Sequence, residues 1–231
     1  MERIPAQLRD VRGRIARACA AVKRPVESVT LLAVGKTFPP AALRAAFDAG
    51  QRAFGENYAQ EALAKIEALA DLRPRIEWHL IGPLQSNKTR EVAAAFDWVH
   101  AIDRAKIAER LSAQRPAGMA PLQVCLQVNV SAEASKSGVA PADALPLALA
   151  VAALPNLRLR GLMAIPEPAG GFEAQRRPHR ALRELLEALQ AADPRLARLD
   201  TLSMGMSADL EAAIAEGATI VRVGSAIFGA R

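Results

Sequence analysis

Eight short apolar runs alternate with helical patterns along almost the whole chain, and this alternation limits the fold more than any other feature. The runs predict β-strands, and the segments between them, whose apolar residues recur every three to four positions, predict α-helices. The predicted strands lie near residues 29–35, 52–54, 76–82, 97–101, 122–130, 157–165, 199–203 and 219–223. The predicted helices lie near residues 39–49, 57–70, 86–95, 104–114, 141–153, 174–191 and 207–216.

Strict alternation of strand and helix predicts an α/β fold with a parallel sheet and right-handed crossovers, and eight units favour a closed (β/α)8 TIM barrel. Too few residues follow the eighth strand to form an outer helix. An extra N-terminal helix, over about residues 4–22, is expected to fill the vacant outer position. Because the second strand is weak, a doubly wound open sheet is the competing architecture. No linker divides the chain, which predicts a single domain over residues 1–231.

Composition and charge exclude several classes of protein. The chain has no long uncharged apolar stretch and no signal peptide at its amino terminus, so we expect a cytoplasmic protein without a membrane span. Its 30 Lys and Arg are scattered among 24 Asp and Glu, and aromatic residues make up 4%, which is typical of solvated helix faces rather than of a nucleic-acid surface. Cys19 and Cys125 have no metal-binding spacing and are predicted to be reduced core residues.

The candidate site consists of residues at the carboxyl ends of the strands, where parallel α/β folds bind their ligands. Lys36 follows the first strand, and an amine placed beside a buried strand can be held neutral and attack a carbonyl group. Ser203 ends the seventh strand and Gly224-Ser225 follows the eighth, where such barrels often bind phosphate. Together with Arg222, these residues predict pyridoxal 5′-phosphate held as a lysine Schiff base.

The side chain of Arg222 points either into the barrel or outward, because a valine stands on each side of it. An inward arginine would face the ring nitrogen of the cofactor and, being only a donor, would weaken the cofactor as an electron sink. A structural arginine paired with a carboxylate is the alternative. Asn57, His79 and Met163, at the ends of three other strands, complete the predicted cofactor-binding set. His79 either lines the site or forms hydrogen bonds within the barrel.

Three further polar residues have competing interpretations. Ser207 is predicted to cap a helix rather than to bind phosphate. Lys136, in the segment Ser135-Lys-Ser-Gly138, is either a solvated loop lysine or a second acceptor for the cofactor. Tyr58, the only tyrosine, is expected to pack beside Asn57.

Seven segments together resemble the pyridoxal phosphate homeostasis proteins, also called the YggS or PROSC type. The segments are Ala33-Val-Gly-Lys-Thr37, Phe54-Gly-Glu-Asn-Tyr58, Trp78-His-Leu-Ile-Gly-Pro-Leu-Gln-Ser-Asn-Lys88, Ser135-Lys-Ser-Gly138, Gly161-Leu-Met-Ala-Ile165, Leu202-Ser-Met-Gly-Met-Ser207 and Val221-Arg-Val-Gly-Ser-Ala-Ile-Phe-Gly-Ala-Arg231. The resemblance implies a barrel like the N-terminal domain of alanine racemase, with the cofactor on Lys36. It also implies a role in vitamin B6 and amino-acid balance without established turnover.

The chain departs from the family pattern at two positions. Gly35 stands where the family usually has serine, which would alter a hydrogen bond near the imine, and Ser225 stands where threonine is frequent, which keeps the hydroxyl group.

An amino-acid racemase is the main enzymatic alternative, because it would share the barrel, Lys36 and Arg222. Racemisation needs proton donors and acceptors on both faces of the imine. In the racemases that the chain resembles, the second base is a tyrosine from another domain, and no residues follow Arg231 to form that domain. We therefore expect a monomeric carrier that exchanges the cofactor with pyridoxal-phosphate-dependent enzymes. A Schiff-base aldolase and a nucleic-acid-binding protein are the remaining alternatives.

Overall fold

The computed structural model describes residues 3–131 and 137–229, and within these ranges the eight predicted strands form a closed parallel barrel. Each strand pairs with its neighbours in chain order, and the first strand also pairs with the eighth. The strands are β1 (Thr30–Val34), β2 (Ala53–Glu56), β3 (Glu77–Leu80), β4 (Trp98–Ile102), β5 (Leu122–Gln127), β6 (Leu157–Met163), β7 (Thr201–Ser203) and β8 (Ile220–Val223). The prediction of a TIM barrel is confirmed, and the open sheet is excluded.

The α-helices of the described ranges lie where the sequence predicts them, with one addition. They are α1 (Ile4–Ala21), α2 (Pro40–Asp48), α3 (Ala59–Ala68), α4 (Thr89–Ala95), α5 (Ala105–Gln114), α6 (Ala144–Ala152), α7 (Phe172–Ala192), α8 (Leu210–Ala215) and α9 (Ser225–Phe228). The addition is α9, a single turn after β8. It is too short to show an apolar period, so the sequence pattern did not predict it.

Helix α1 fills the outer position that the short segment after β8 leaves open. Its buried residues Ile4, Leu8, Val11 and Ile15 recur every three to four positions and form one apolar face. The helix packs against α2, α8 and α9, which places it in the outer ring. The predicted role of the N-terminal helix is therefore confirmed.

The interior of the barrel is partly apolar and partly polar. Two apolar clusters lie there, one around Leu32 and Ile81 and one around Trp98 and Cys125. Four polar side chains are buried in the same space, namely those of His79, His100, Ser203 and Arg222. As predicted, Cys19 and Cys125 are buried and not disulfide-bonded.

None of the described helices is long and apolar enough to cross a membrane.

Candidate functional site

A cavity of about 390 Å³ lies at the carboxyl ends of β1, β2 and β8. Five of the eight predicted site residues line it, namely Lys36, Asn57, Arg222, Gly224 and Ser225. The apolar part of its wall is formed by Val34, Phe38, Ile81, Ile165 and Met206. The volume is within the range of roughly 300–1,000 Å³ that is typical of small-molecule sites, and apolar walls with a few polar groups are also typical of them.

The other three predicted site residues, His79, Met163 and Ser203, do not line this cavity. All three are fully buried in the barrel, where Met163 packs with Trp98 and Cys125. Of the two interpretations of His79, hydrogen bonding within the barrel is the one that the structure supports. Ser203 and His79 therefore act on the cavity only through other residues.

Lys36 lies in a strained turn that follows β1. The residue is half-buried, and its amine has no hydrogen bond or ion pair among the described residues. The next residue, Thr37, has a φ of +67°, in the left-handed region that β-branched residues rarely adopt. Such strain persists only where the surrounding structure holds the backbone in place.

Three charged side chains, Glu56, Glu61 and Lys65, hold this turn, and we call them the Lys65 cluster. The ammonium of Lys65 donates to the carbonyl oxygen of Gly35 at 2.7 Å, to Oε1 of Glu56 at 2.9 Å and to Oε1 of Glu61 at 2.6 Å. The same Glu61 oxygen accepts a hydrogen bond from the backbone N–H of Thr37. The cluster thus fixes the peptide groups on both sides of Lys36.

The charges of the Lys65 cluster are buried to different extents. The side chain of Glu56 is fully buried and that of Lys65 is 5% exposed, whereas that of Glu61 is 29% exposed. Burial raises the pKa of Glu56 to about 7, although the ammonium of Lys65 opposes the rise. The second oxygen of Glu56, Oε2, has no hydrogen-bond partner.

The glycine at position 35 is explained by this crowded environment. A Cβ atom at Gly35 would lie 2.7 Å from Oε1 of Glu56 and 2.9 Å from Cδ1 of Leu43, and both of these side chains are fully buried. A larger residue therefore requires both side chains to shift. A serine would add a hydroxyl group beside the carboxylate of Glu56, whose Oε2 has no partner.

We expect the serine variant Gly35→Ser to be more stable than Gly35→Ala. Both variants add the same crowded Cβ, and overpacking typically costs about 1–3 kcal/mol in free energy of unfolding. Only the serine can donate a hydrogen bond to Oε2 of Glu56, and such a bond to a charged group contributes about 1.5–3 kcal/mol. Urea unfolding of the two variants measures the difference directly. If serine is no more stable than alanine, the free carboxylate oxygen is out of its reach.

Arg222 points into the barrel, which resolves the orientation that the sequence left open. Its Nη1 donates to the carbonyl oxygen and to Oγ of Ser203, and its Nη2 donates to the carbonyl oxygen of Ala164 at 2.8 Å. No hydrogen bond of Nε and no ion pair of Arg222 is seen in the described part of the chain. Burial lowers the pKa of Arg222 to about 10, so the guanidinium stays charged at neutral pH.

A chain of hydrogen bonds links Arg222 to Glu77 at the opposite end of the barrel. Oγ of Ser203 lies 2.8 Å from Nδ1 of His100, Nε2 of His100 lies 2.9 Å from Nδ1 of His79, and Nε2 of His79 lies 2.7 Å from Oε1 of Glu77. Burial holds the pKa of His100 well below its usual value. In the tautomer of His79 that donates from Nε2 to Glu77 and accepts at Nδ1, His100 donates to His79 and Ser203 donates to His100. The chain therefore fixes the Ser203 hydroxyl as an acceptor for Arg222.

Two serines lie at the end of the cavity where phosphate binding is predicted. Ser225 begins α9, and Ser207 also lines the cavity. The prediction that Ser207 caps a helix is wrong, because α8 begins only at Leu210, after Asp209. A Cβ atom at Gly224 would lie 3.1 Å from the carbonyl oxygen of Val34, so glycine allows this loop to approach β1 closely.

Asn57 lies at the boundary between this cavity and a second one of about 250 Å³. Its Oδ1 is buried and has no hydrogen-bond partner, which is expected of an acceptor that serves a ligand. The second cavity is lined by Gln127 and Ser137, among others. Lys136, which the sequence places above the barrel mouth, lies outside the described residues. Tyr58 is 60% exposed, so the prediction that it packs beside Asn57 is wrong.

The sequence pattern did not single out His100 or Lys65, although each has a recognisable position in it. His100 is two residues after Trp98 and therefore shares its face of β4, which is the inner face. Lys65 follows Glu61 by four residues on α3, the spacing of a helical ion pair. Glu56 is the last residue of β2 and therefore lies at a strand end, the region in which site residues are expected.

Known proteins match the chain along nearly its whole length. Residues 8–231 match the family "alanine racemase, N-terminal domain". The pyridoxal phosphate homeostasis protein of Pseudomonas aeruginosa is 60% identical over 231 residues, which cover 100% of this chain and 97% of that protein. The protein of the same name from Escherichia coli K12 is 52% identical and covers 100% of this chain and 98% of its own length.

Solved structures also match the chain over more than nine tenths of its length. PipY of Synechococcus elongatus without PLP is 41% identical, with a TM-score of 0.87 over 98% of this chain and 100% of that chain. The structure of PipY with PLP bound has a TM-score of 0.81 over 93% of this chain and 100% of that chain. Alanine racemase of Corynebacterium glutamicum, at 17% identity, has a TM-score of 0.68 over 95% of this chain and 62% of that chain, which shows a shared fold.

Proposed function

Because this chain belongs to the family of pyridoxal phosphate homeostasis proteins, we propose that it binds pyridoxal 5′-phosphate in the cavity at the barrel mouth and holds it covalently on Lys36. When bound, the cofactor supplies an aldehyde that condenses reversibly with an amine. One observation carries the assignment of the lysine. Lys36 lines the cavity and is half-buried, and its amine has no hydrogen-bond or ion-pair partner among the described residues.

The other polar groups of the cavity fit the same cofactor. Arg222 has an Nε–H group without a protein acceptor in the described ranges, and it is the residue that we assign to the ring nitrogen. Ser207, Gly224 and Ser225 are assigned to the phosphate, for which hydroxyl groups and a close backbone approach are suitable. Asn57 offers its unpartnered Oδ1 as an acceptor for a donor on the ligand.

The protein is proposed to carry the cofactor without catalytic turnover. Racemisation needs a second proton donor or acceptor opposite the lysine. Within the described ranges, the titratable side chains that line the cavity are those of Lys36 and Arg222, and Tyr58 is not among the lining residues. Arginine keeps its proton, so it cannot give the ring nitrogen a positive charge and does not strengthen the cofactor as an electron sink. These properties favour a carrier that exchanges the cofactor with dependent enzymes.

An absorption spectrum tests the proposal. The purified protein, incubated with pyridoxal phosphate, should acquire the visible band of a pyridoxal imine, and borohydride should remove that band. Mass analysis of the peptides should then find the reduced pyridoxyl group on Lys36. A protein that stays colourless would contradict the proposal and favour an aldolase that uses the lysine directly.

Replacing Arg222 with glutamine should weaken cofactor binding at least about tenfold, equivalent to about 1.4 kcal/mol, and should change the visible spectrum. The variant removes the charge beside the cavity and leaves the carbonyl oxygens of Ser203 and Ala164 with fewer donors. Titration with pyridoxal phosphate, followed by absorbance, measures both effects. An Arg9→Gln variant, which changes an exposed arginine on α1 outside the cavity, is the control. Unchanged spectrum and affinity would contradict the assignment of Arg222 to the ring.

A further inference from the structure

Six arginines converge on a cleft of about 640 Å³ at the end of the barrel opposite the cofactor cavity. The cleft lies at the amino-terminal ends of β3, β4, β5 and β6, and we call it the arginine cleft. Its arginines are Arg52, Arg73, Arg75, Arg115, Arg158 and Arg160. The carboxylates among its lining residues are those of Glu77 and Asp97. Six guanidinium groups against two carboxylates leave an excess of four positive charges.

Only some of these arginines have a carboxylate partner. Arg73 pairs with Asp97 at 3.0 Å, and Arg160 pairs with Asp200, beside the cleft, at 2.7 Å. No ion pair of the other four arginines is seen among the described residues. Even with Asp200 counted, six guanidinium groups stand against three carboxylates, so the arginine cleft keeps an excess of three positive charges.

Arg115 is the most buried of the six, with an exposed fraction of 9%. Its Nε donates to the carbonyl oxygen of Ala120, and its Nη1 donates to those of Ala93 and Phe96. No acceptor for its Nη2 is seen in the described ranges. Burial lowers the pKa of Arg115, although the nearby carboxylate of Asp97 opposes the fall. A cation buried to this extent ordinarily has a counter-ion, and Arg115, which lines the arginine cleft, forms no ion pair with a described residue.

Two more arginines are held in place by one aromatic ring. The guanidinium of Arg52 lies 4.0 Å from the centre of the Phe47 ring, and that of Arg75 lies 4.9 Å from it. Backbone carbonyls of Phe47 and Gln51 also accept from Arg52. Stacking of this kind orders long side chains before a ligand arrives, which lowers the entropy lost on binding.

We propose that the arginine cleft binds a small anion that carries phosphate groups. Guanidinium groups match phosphate oxygens in pairs, and several of them around one concave surface suit a compact polyanion. A nucleic-acid strand fits less well, because it needs an extended basic track and exposed rings for base stacking. The aromatic residue of the described lining is Trp98, which is only 7% exposed.

Trp98 gives a direct readout of this binding, because it lines the arginine cleft and the guanidinium of Arg160 lies 5.0 Å from the centre of its ring. Titration of the protein with inorganic pyrophosphate should change its tryptophan fluorescence to saturation. The double variant Arg75→Ala/Arg158→Ala, which removes two arginines without an ion pair, should weaken the binding at least tenfold. The double variant Arg9→Ala/Arg90→Ala, which removes the same charge from exposed helix positions, should bind like the wild type.

Four results would overturn the proposal. One is the absence of saturable pyrophosphate binding. Another is binding that persists in the Arg75→Ala/Arg158→Ala variant, which would place the anion elsewhere, for example in the cofactor cavity. The third is an equal loss of affinity in both double variants, which would indicate attraction by net charge alone. Binding of a single-stranded RNA, lost in the Arg75→Ala/Arg158→Ala variant, without pyrophosphate binding would identify a different partner and would also contradict the proposal.

Discussion

Replacing Lys36 with alanine should abolish the borohydride-stable adduct with pyridoxal phosphate and leave the protein folded. The amine makes no hydrogen bond or ion pair with a described residue, so the variant loses no polar interaction that stabilises the fold. The remaining cavity, with Arg222, Ser207, Gly224 and Ser225, should still bind the cofactor without a covalent bond. We expect the affinity to fall at least about tenfold, equivalent to about 1.4 kcal/mol. Absorbance titration, peptide mass analysis and thermal unfolding of the same preparation measure the three quantities.

Lys106→Ala is the matched control, because Lys106 is an exposed lysine on α5, outside the cavity lining. The control should keep both the visible band and the adduct on Lys36. Two outcomes would contradict the assignment. An adduct of undiminished yield on another lysine would show that the covalent site is elsewhere. Loss of the folded state in Lys36→Ala would show that the lysine stabilises the barrel rather than only binding the cofactor.

The fold could be predicted from the sequence because each element carries its own periodic signal. Strands such as β5 and β8 are apolar runs bounded by turn residues, and α1 repeats its apolar residues every three to four positions. The count of eight then determined the closed barrel. Helix α9 has four residues, so its apolar pattern cannot repeat, and α8 begins later than Ser207 suggests because a serine can precede a helix without capping it.

The residues of the site could be predicted only in part, because strand ends specify which residues are near the mouth but not how deep their side chains lie. Lys36 and Ser225 follow their strands and reach the cavity. Ser203 and Met163 end theirs and remain fully buried. The arginine cleft could not be predicted at all, since its arginines come from segments far apart in the chain and resemble scattered surface charge. Only closure of the barrel brings them together.

The Lys65 cluster supports the second large effect, which we expect from Lys65→Met. This variant leaves the carboxylate of Glu56 buried without its ammonium partner, and breaking a buried pair in this way costs about 3–5 kcal/mol in free energy of unfolding. It also removes the donor that binds the carbonyl oxygen of Gly35. We therefore expect slower adduct formation on Lys36, in addition to lower stability, because the strained turn loses part of its support.

The loss of stability should depend on pH, because Glu56 can escape its buried charge by taking up a proton. Its pKa in the folded protein, about 7, is above the ordinary value of 4.5, so between these two values the contribution of Glu56 to stability falls as the pH rises. Removing the ammonium of Lys65 raises this pKa further. Urea unfolding of Lys65→Met should thus show a larger deficit relative to wild type at pH 8 than at pH 5.

The double variant Lys65→Met/Glu56→Gln distinguishes the effect of the Lys65 cluster on stability from its effect on the turn that carries Lys36. Glutamine is close in shape to the protonated carboxyl, so the double variant should regain much of the stability lost at pH 8 and should lose the dependence on pH. It still lacks the donor to Gly35, so adduct formation on Lys36 should remain slow. A stability deficit that is the same at pH 5 and pH 8 would mean that the buried charge of Glu56 is not the cause of the loss of stability. Recovery of the rate of adduct formation in the double variant would mean that the buried charge, rather than the bond to Gly35, controls the turn.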